Sequence, residues 1–325
     1  MKVLVTGGAG FIGSAVAKAL LDRGDTPALV DNFNDYYDPR LKRDRIEVFL
    51  GDYSGTFTLH EGDIRDRDFL TRVFEEEKPD GVVHLAAMAG VRYSIEKPSL
   101  YADVNVMGTV NMLDMAVKYG VKNFVYASSS SVYGENEKIP FAESDSVDHP
   151  VSVYAATKKA DELLANVYHH IHGLKTTGLR FFTVYGPWGR PDMGVFKFVS
   201  NIVEGRPIDV YNGGDMRRNF TYIDDIVSGT LVTLDADLDC DVMNIGGDRD
   251  EALMDYIAAV EKYAGRKAET NMLPMQPGDV TRTIADISKL RALGWAPTTR
   301  IDDGVARFVE WYREYYLVGG DSNSK

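Results

Sequence analysis

The sequence predicts an α/β fold, with a doubly wound parallel sheet followed by a smaller C-terminal lobe. Three observations carry this. Strand-like and helix-like stretches alternate over residues 2–182, as parallel strands joined by crossover helices do. Gly7, Gly10 and Gly13 stand between the first strand and the first helix. After Phe182 the rhythm breaks: TVYGPWGRPDMG brings Pro187, Pro191 and close-set glycines, a boundary signal. Residues 1–182 therefore read as one domain, with segments from about 220–245 returning to it, and residues 183–325 mainly as a second.

The elements follow in order. Lys2 to Val5 are aliphatic and β-branched, a short buried strand. Ile12, Val16 and Leu20 then make one helical face, with Gly24 as the stop. A second strand ends at Asp31, and residues 32–40 read as a polar loop with two tyrosines. A strand near 57–60 leads to Glu61-Gly62-Asp63, a helix near 66–77 and a strand over 81–87. A long helix is predicted over 99–119, stopped by Gly120, then a strand over 123–129. Val153–His172 reads as a long helix and residues 176–182 as a strand. The second half has a helix near 195–204, a strand at 208–210, a helix from Asp224 and a strand at 242–245. Val305, Phe308 and Tyr312 mark an amphipathic helix over 301–316, and residues 319–325 read as a frayed polar end.

Composition narrows the function. Of 325 residues 44% are hydrophobic, enough for a globular core, and no run approaches the ~20 apolar residues of a membrane span. Met1 leads straight into a strand, so no signal peptide is expected. Cys240 is the lone cysteine, which fits a reducing cytoplasm. A net charge of −13 opposes nucleic acid and anionic membrane as partners, though local arginines can still receive a small anion. His169, His170 and His172 cluster at one helix end and read as solvated surface, so no metal site is expected.

The glycine turn points to a pyrophosphate. A helix N-terminus offers unpaired N–H groups and partial positive charge, and glycines let the phosphates approach the backbone. An acid ending the second strand accepts from ribose hydroxyls and repels a 2′-phosphate, so Asp31 argues for NAD over NADP.

A second constellation supplies a base. Residues 128–131 are all serine and close the 123–129 strand, placing hydroxyls at the sheet's carboxyl edge. Tyr154 and Lys158 stand four apart on a helix and share a face. Beside an oxidised nicotinamide, the lysine and the ring would favour the phenolate of Tyr154. With Ser129 bonding the same oxygen, the group would take a proton from an alcohol whose carbon gives up hydride.

Taken together, TGGAGFIG, DNFNDYYD, SSSSVYG, YAATKKA, RFFTVYGPWGRPDM, RRNFTYIDDI and MQPGDV resemble the extended short-chain dehydrogenase/reductase family over nearly the whole chain. The resemblance is to its NAD-dependent nucleotide-sugar epimerases and dehydratases, built on a Rossmann sheet with a substrate-binding lobe. DNFNDYYD, AGVRYSIE and VYGPWGRPDM are most similar to UDP-glucuronate 4-epimerases.

The resemblance implies roles. Gly7, Gly10, Phe11, Ile12 and Gly13 would hold the pyrophosphate, Asp31 and Asn32 the adenosine ribose, and Asp63 and Ile64 the adenine edge. Leu85, Ala86, Ala87, Asn105 and Phe182 would line the rest of the cofactor site. Ser129, Tyr154 and Lys158 match the catalytic triad, and Lys158 would also hold the nicotinamide ribose. Arg218 matches a diphosphate-binding arginine; Asp279 and Gln276 match the uridine end. Ser129, Ser130, Ser131 and Thr183 would surround a sugar carboxylate, with Arg190 and Arg92 at the same end.

One departure separates subclasses. Dehydratases of this family carry an Asp–Glu pair before VYG, and uronate decarboxylases a Glu; here Ser130 and Ser131 stand there. Without that acid, elimination has no proton donor, which argues for a 4-epimerase. Three alternatives remain open at this point: an epimerase of neutral or N-acetylated UDP-hexoses, a decarboxylase with another acid, and a non-catalytic NAD-binding sensor or scaffold. The family habit of pairing two helices per subunit implies a homodimer, with Val106, Val110, Leu113 and Val117 as the candidate stripe.

Overall fold

The computed structural model describes residues 1–275 and 281–318. Seven strands form one parallel sheet in the order Cys240–Ile245, Thr176–Phe181, Asn123–Ser129, Gly81–His84, Lys2–Thr6, Thr26–Asp31, Thr58–Glu61. The chain runs outward from Lys2–Thr6 to Thr58–Glu61, then crosses back to Gly81–His84 on the other side of its first strand. A crevice at such a reversal, beyond the strands' carboxyl ends, is where open α/β sheets bind ligands.

The strands are aliphatic because both sheet faces are covered. Val3, Val5, Leu29 and Val83 point into one core, and Leu4, Ala28, Val30 and Val82 into the other, as a two-residue period requires. The first core receives Val16 and Leu20 from Phe11–Asp22 and Ile226 from Ile223–Asp235. The second receives Leu70 from Arg67–Glu77, Leu113 from Gly108–Lys118 and Ala165 from Val153–His172. Leu20, Leu70 and Leu113 are fully buried, each worth roughly 1.5–3 kcal/mol over exposure.

Local signals set the boundaries. Asp66 caps Arg67–Glu77 by accepting from the N–H groups of Asp68 and Phe69. Ser152 caps Val153–His172 by accepting from the Ala155 N–H, and Gly173 ends it at φ 69°.

Several elements differ from the sequence expectation. The loop placed at 32–40 ends at Asp38, because Pro39 opens a helix, Pro39–Asp44, capped by the Asp38 carboxylate. Wider turns, Arg45–Phe49, continue it. The strand over 81–87 stops at His84, and the one near 57–60 runs as Thr58–Glu61. The helix over 99–119 is assembled from Pro98–Tyr101, wider turns Ala102–Met107 and Gly108–Lys118.

The C-terminal helices Gly194–Glu204, Leu253–Ala264 and Ile301–Tyr312 pack around Phe196, Tyr256 and Phe308. Arg45, fully buried, ties this region to the sheet. Its Nε and Nη2 donate to the Trp188 carbonyl at 3.1 and 2.7 Å, Nη2 also to the Gly189 carbonyl, and Nη1 to the Ala9 carbonyl and the Tyr37 hydroxyl. Trp188 sits at φ 62°, left-handed backbone that a bulky residue rarely adopts. Among the described residues no helix is long and apolar enough to cross a membrane.

Candidate active site

A cavity of about 830 Å³ opens at the sheet's carboxyl edge, within the range of small-molecule sites. Gly7, Gly10, Phe11, Ile12 and Gly13 line it. A Cβ on Gly7 would come 2.9 Å from the Ala86 nitrogen, and one on Gly13 would come 2.0 Å from the Gly7 carbonyl. Gly10 brings no side-chain cap to the helix Phe11–Asp22, so the first amides stay available to an anion. These observations fit a dinucleotide pyrophosphate.

Asp31 and Asn32 also line the cavity, as do Asp63 and Ile64. The Asp31 carboxylate accepts from the Ala9 N–H at 3.1 Å and the Phe33 N–H at 2.9 Å. Asn32 donates to Asp63 at 3.0 Å. Burial would raise the Asp63 carboxyl, but hydrogen bonds from Arg65 and Asn32 outweigh it and hold it down at about 2.

Leu85, Ala86 and Ala87 line the cavity's middle, and Phe182 joins them. Asn105 does not line it. Its side chain accepts from the Met88 N–H at 2.7 Å and donates to the Met88 carbonyl and the Thr157 hydroxyl, so it shapes the Leu85–Met88 stretch from behind. A neutral chain does the same nearby. The Thr109 hydroxyl donates to the Asn105 carbonyl, which leaves its oxygen to accept from His84 Nε2 at 3.1 Å. His84 Nδ1 then accepts from Thr6 at 2.6 Å, and Thr6 Oγ1 takes the N–H groups of Leu85 and Ala86. Burial first, and the Lys158 charge second, push His84 down to about 3, so the ring is uncharged.

Ser129, Ser130, Ser131, Tyr154, Lys158 and Thr183 face the same space. Ser129 lies at the end of its strand, where its hydroxyl donates to Ser131 Oγ at 3.2 Å and accepts the Ser131 N–H. Ser128 also borders the cavity, and its hydroxyl donates to Glu162, which Arg180 grips with two nitrogens. Lys158 is 3% exposed and pairs with Asp161 at 3.2 Å.

Arg92 and Arg190 line the cavity too. Arg190 is held two-pronged by Asp192, through Nε at 3.0 Å and Nη2 at 2.5 Å, and the Tyr36 hydroxyl reaches Asp192 from the sheet side at 3.4 Å. Arg218, expected to hold a diphosphate, is not among the lining residues; its Nη1 donates to the carbonyls of Arg217 and Thr281. Gln276 and Asp279 lie outside the described residues. Among the described residues no group of side chains is arranged to hold a metal ion.

Sequence reading missed Arg45, Asp161, Asp192 and Tyr36. The last is visible as the first tyrosine of DNFNDYYD, but its partner lies far along the chain. Asp161 had a signal: it stands three residues after Lys158, on the same helical face.

A glycine-cradled anion site, a serine-tipped strand and a Tyr–Lys pair meeting in one cavity define a nucleotide-dependent enzyme acting on an alcohol carbon. Residues 3–246 match the NAD dependent epimerase/dehydratase family, and the chain belongs to it. It is 47% identical to a probable UDP-glucuronate 4-epimerase of Rhizobium meliloti, over 97% of this chain and 98% of that one. It is 46% identical to UDP-glucuronate 4-epimerase 1 of Arabidopsis thaliana, over 97% of this chain and 77% of that one. The UDP-glucuronic acid 4-epimerase of Bacillus cereus, solved with UDP-glucuronic acid and NAD, superposes with TM-score 0.91 at 34% identity, covering 97% of this chain and 100% of that chain.

Proposed function

We propose that the protein interconverts UDP-glucuronate and UDP-galacturonate through a transient 4-keto sugar, as a cytoplasmic homodimer. The observation that carries the uronate reading is a set of neutral hydroxyls. Ser129, Ser130, Ser131 and Thr183 line the cavity that holds Tyr154, Lys158 and Arg190.

Tyr154 takes the proton of the C4 hydroxyl, while Ser129 holds that oxygen and Lys158 supports the phenolate and the cofactor ribose. NAD held in this cavity would supply the hydride acceptor for C4 and the donor for its return, once the sugar has turned its other face to the ring. Residues 7, 10–13, 31, 32, 63, 64, 85–87 and 182 hold the dinucleotide, with Asn105 shaping the wall. Residues 1–182, with segments returning from about 220–245, form the cofactor domain and residues 183–325 mainly the nucleotide-sugar lobe. Arg92, Arg218, Gln276 and Asp279 complete substrate binding.

The 4-keto uronate is a β-keto acid and loses CO₂ if its carboxylate bond aligns with the carbonyl π system. Hydroxyls can hold the carboxylate out of that alignment without supplying an acid. Ser130 and Ser131 carry no carboxyl, and Asp192 is occupied by Arg190, which disfavours the decarboxylase reading.

Of the stripe read in the sequence, Val106, Val110 and Val117 are half-buried. Leu113 is fully buried within the subunit. The exposed apolar residues are Leu163, Val167 and Ile171 on Val153–His172, joined by Met107. These form the proposed four-helix contact.

The test is incubation with UDP-glucuronate, UDP-glucose and UDP-xylose separately, with products followed by NMR. UDP-galacturonate from the first is expected. UDP-xylose and CO₂ as main products would refute epimerisation, and equal turnover of UDP-glucose would refute uronate specificity.

A further inference from the structure

Lys158 has one hydrogen-bond partner among the described residues, the carboxylate of Asp161. Both side chains are shut off from water, at 4% and 1% exposure. Asp161 Oδ2 meets Lys158, while Oδ1 is buried with no hydrogen-bond partner among the described residues. Such an orphaned oxygen is costly, and the carboxylate is held there because its other oxygen answers the buried charge of Lys158. The charge therefore acts on Lys158 rather than on the packing around it.

Tyr154 is faced by Arg190, whose charge Asp192 engages, and by the Tyr101 ring at 6.3 Å, and none of these is altered by a change at Asp161. Tyr154 and Glu162 share the helix, and Glu162 is bound by Arg180. From the neighbouring elements come the Thr109 hydroxyl, His84 and Tyr126. His84 is uncharged, and burial keeps the Tyr126 phenol protonated. The Thr109 hydroxyl faces Asp161 but gives its proton to the Asn105 carbonyl.

We propose that Asp161 is a positioning residue that anchors Lys158 from behind and offsets its charge, tempering the pull of the lysine on Tyr154 and favouring the oxidised, positively charged form of the bound nicotinamide. The inference rests on the base assignment above, but not on which nucleotide sugar is turned over. Asp161 and Tyr154 are seven residues apart on one helix, roughly 10 Å. At that separation one unit charge is worth about one pH unit in a protein interior.

The experiment compares wild type with Asp161→Asn and Asp161→Ala as NAD-loaded enzymes. Turnover is followed from pH 5 to 9 with whichever nucleotide sugar the wild type epimerises, so failure of the uronate reading leaves the comparison intact. Absorbance of bound cofactor near 340 nm is recorded at equilibrium with the same sugar. Both neutral variants should reach half-maximal turnover about one pH unit lower than wild type. Burial raises the Asp161 carboxyl to about 6 against the opposing pull of Lys158. The difference should therefore be half-developed near pH 6, grow above it and fade below it, where wild type protonates. The 340 nm signal should be larger in both variants, because removing an anion disfavours the oxidised ring. A purely structural role would lower rates without moving the half-maximal pH. Unchanged half-maximal pH and unchanged 340 nm absorbance in both variants would overturn the proposal, as would a shift to higher pH.

Discussion

Arg45 offers the sharpest test of how the two halves of the site are held. Replacing it with Met keeps the volume and removes every donor. Three backbone carbonyls then lose their partners: Ala9 in the glycine turn, and Trp188 and Gly189 just before Arg190. Each buried carbonyl left unpaired costs roughly 1–3 kcal/mol, and relief from burying a guanidinium returns part of the sum. A net loss of about 3 kcal/mol follows. Urea unfolding at fixed NAD reads it as a lower midpoint with an unchanged slope. The loss should fall on function too, because Ala9 fixes the cofactor turn and Trp188 fixes the approach of Arg190. NAD content after purification should drop, and KM for the nucleotide sugar should rise. Arg45→Lys keeps the charge but cannot fork to three carbonyls, so it should restore only part of the stability. An Arg45→Met protein within about 0.5 kcal/mol of wild type, with full NAD content, would refute this account.

Tyr154→Phe should fold normally and lose turnover by roughly 10²–10⁴-fold, as removal of a general base does; NMR of the products checks it. Asn105→Ala should unbind both Met88 backbone groups and cost about 2–3 kcal/mol, with lower NAD content measured by absorbance after denaturation. Burial would raise the Glu77 carboxyl, yet Lys2 and His60 overcome it and hold it at about 2, below the ordinary 4.5 of a glutamate. Its ionised form therefore stabilises the fold above pH 4.5, and that contribution fades as pH falls toward 2. Glu77→Gln should be less stable than wild type by about 2–3 kcal/mol at pH 7, with the two unfolding curves converging on acidification.

The parallel sheet and the cofactor cradle were legible because their signals are local. A strand, three spaced glycines, a helix and a terminal acid lie within one short stretch. The Tyr154–Lys158 pair and the serine-tipped strand were equally compact. What escaped was built across distance. Arg45 meets Trp188 and Tyr36 meets Asp192 only after the chain has crossed from one half to the other, and no periodicity encodes that. Pro39–Asp44 was hidden because its charged residues mask the apolar pattern of a helix, leaving only the Asp38–Pro39 start signal. Asp161 drew no reading from the sequence, since a count of spacing cannot tell a covered polar face from an exposed one. The stripe of Val106, Val110, Leu113 and Val117 could not be read for the converse reason: one apolar stripe serves the subunit's own core or a partner equally well, and of the four only Leu113 is fully buried in the core.

The carboxylate of Asp31 has a bearing on how freely this protein could change its diet of cofactors. Both its oxygens are already engaged, one by the Ala9 N–H inside the glycine turn and one by the Phe33 N–H. The group that would reject a 2′-phosphate is also a tie-rod of the turn that receives the pyrophosphate. Retargeting to the phosphorylated dinucleotide by a single exchange at this position would slacken the very loop it aimed to redirect. A lineage drifting toward that cofactor would first have to brace Ala9 by other means.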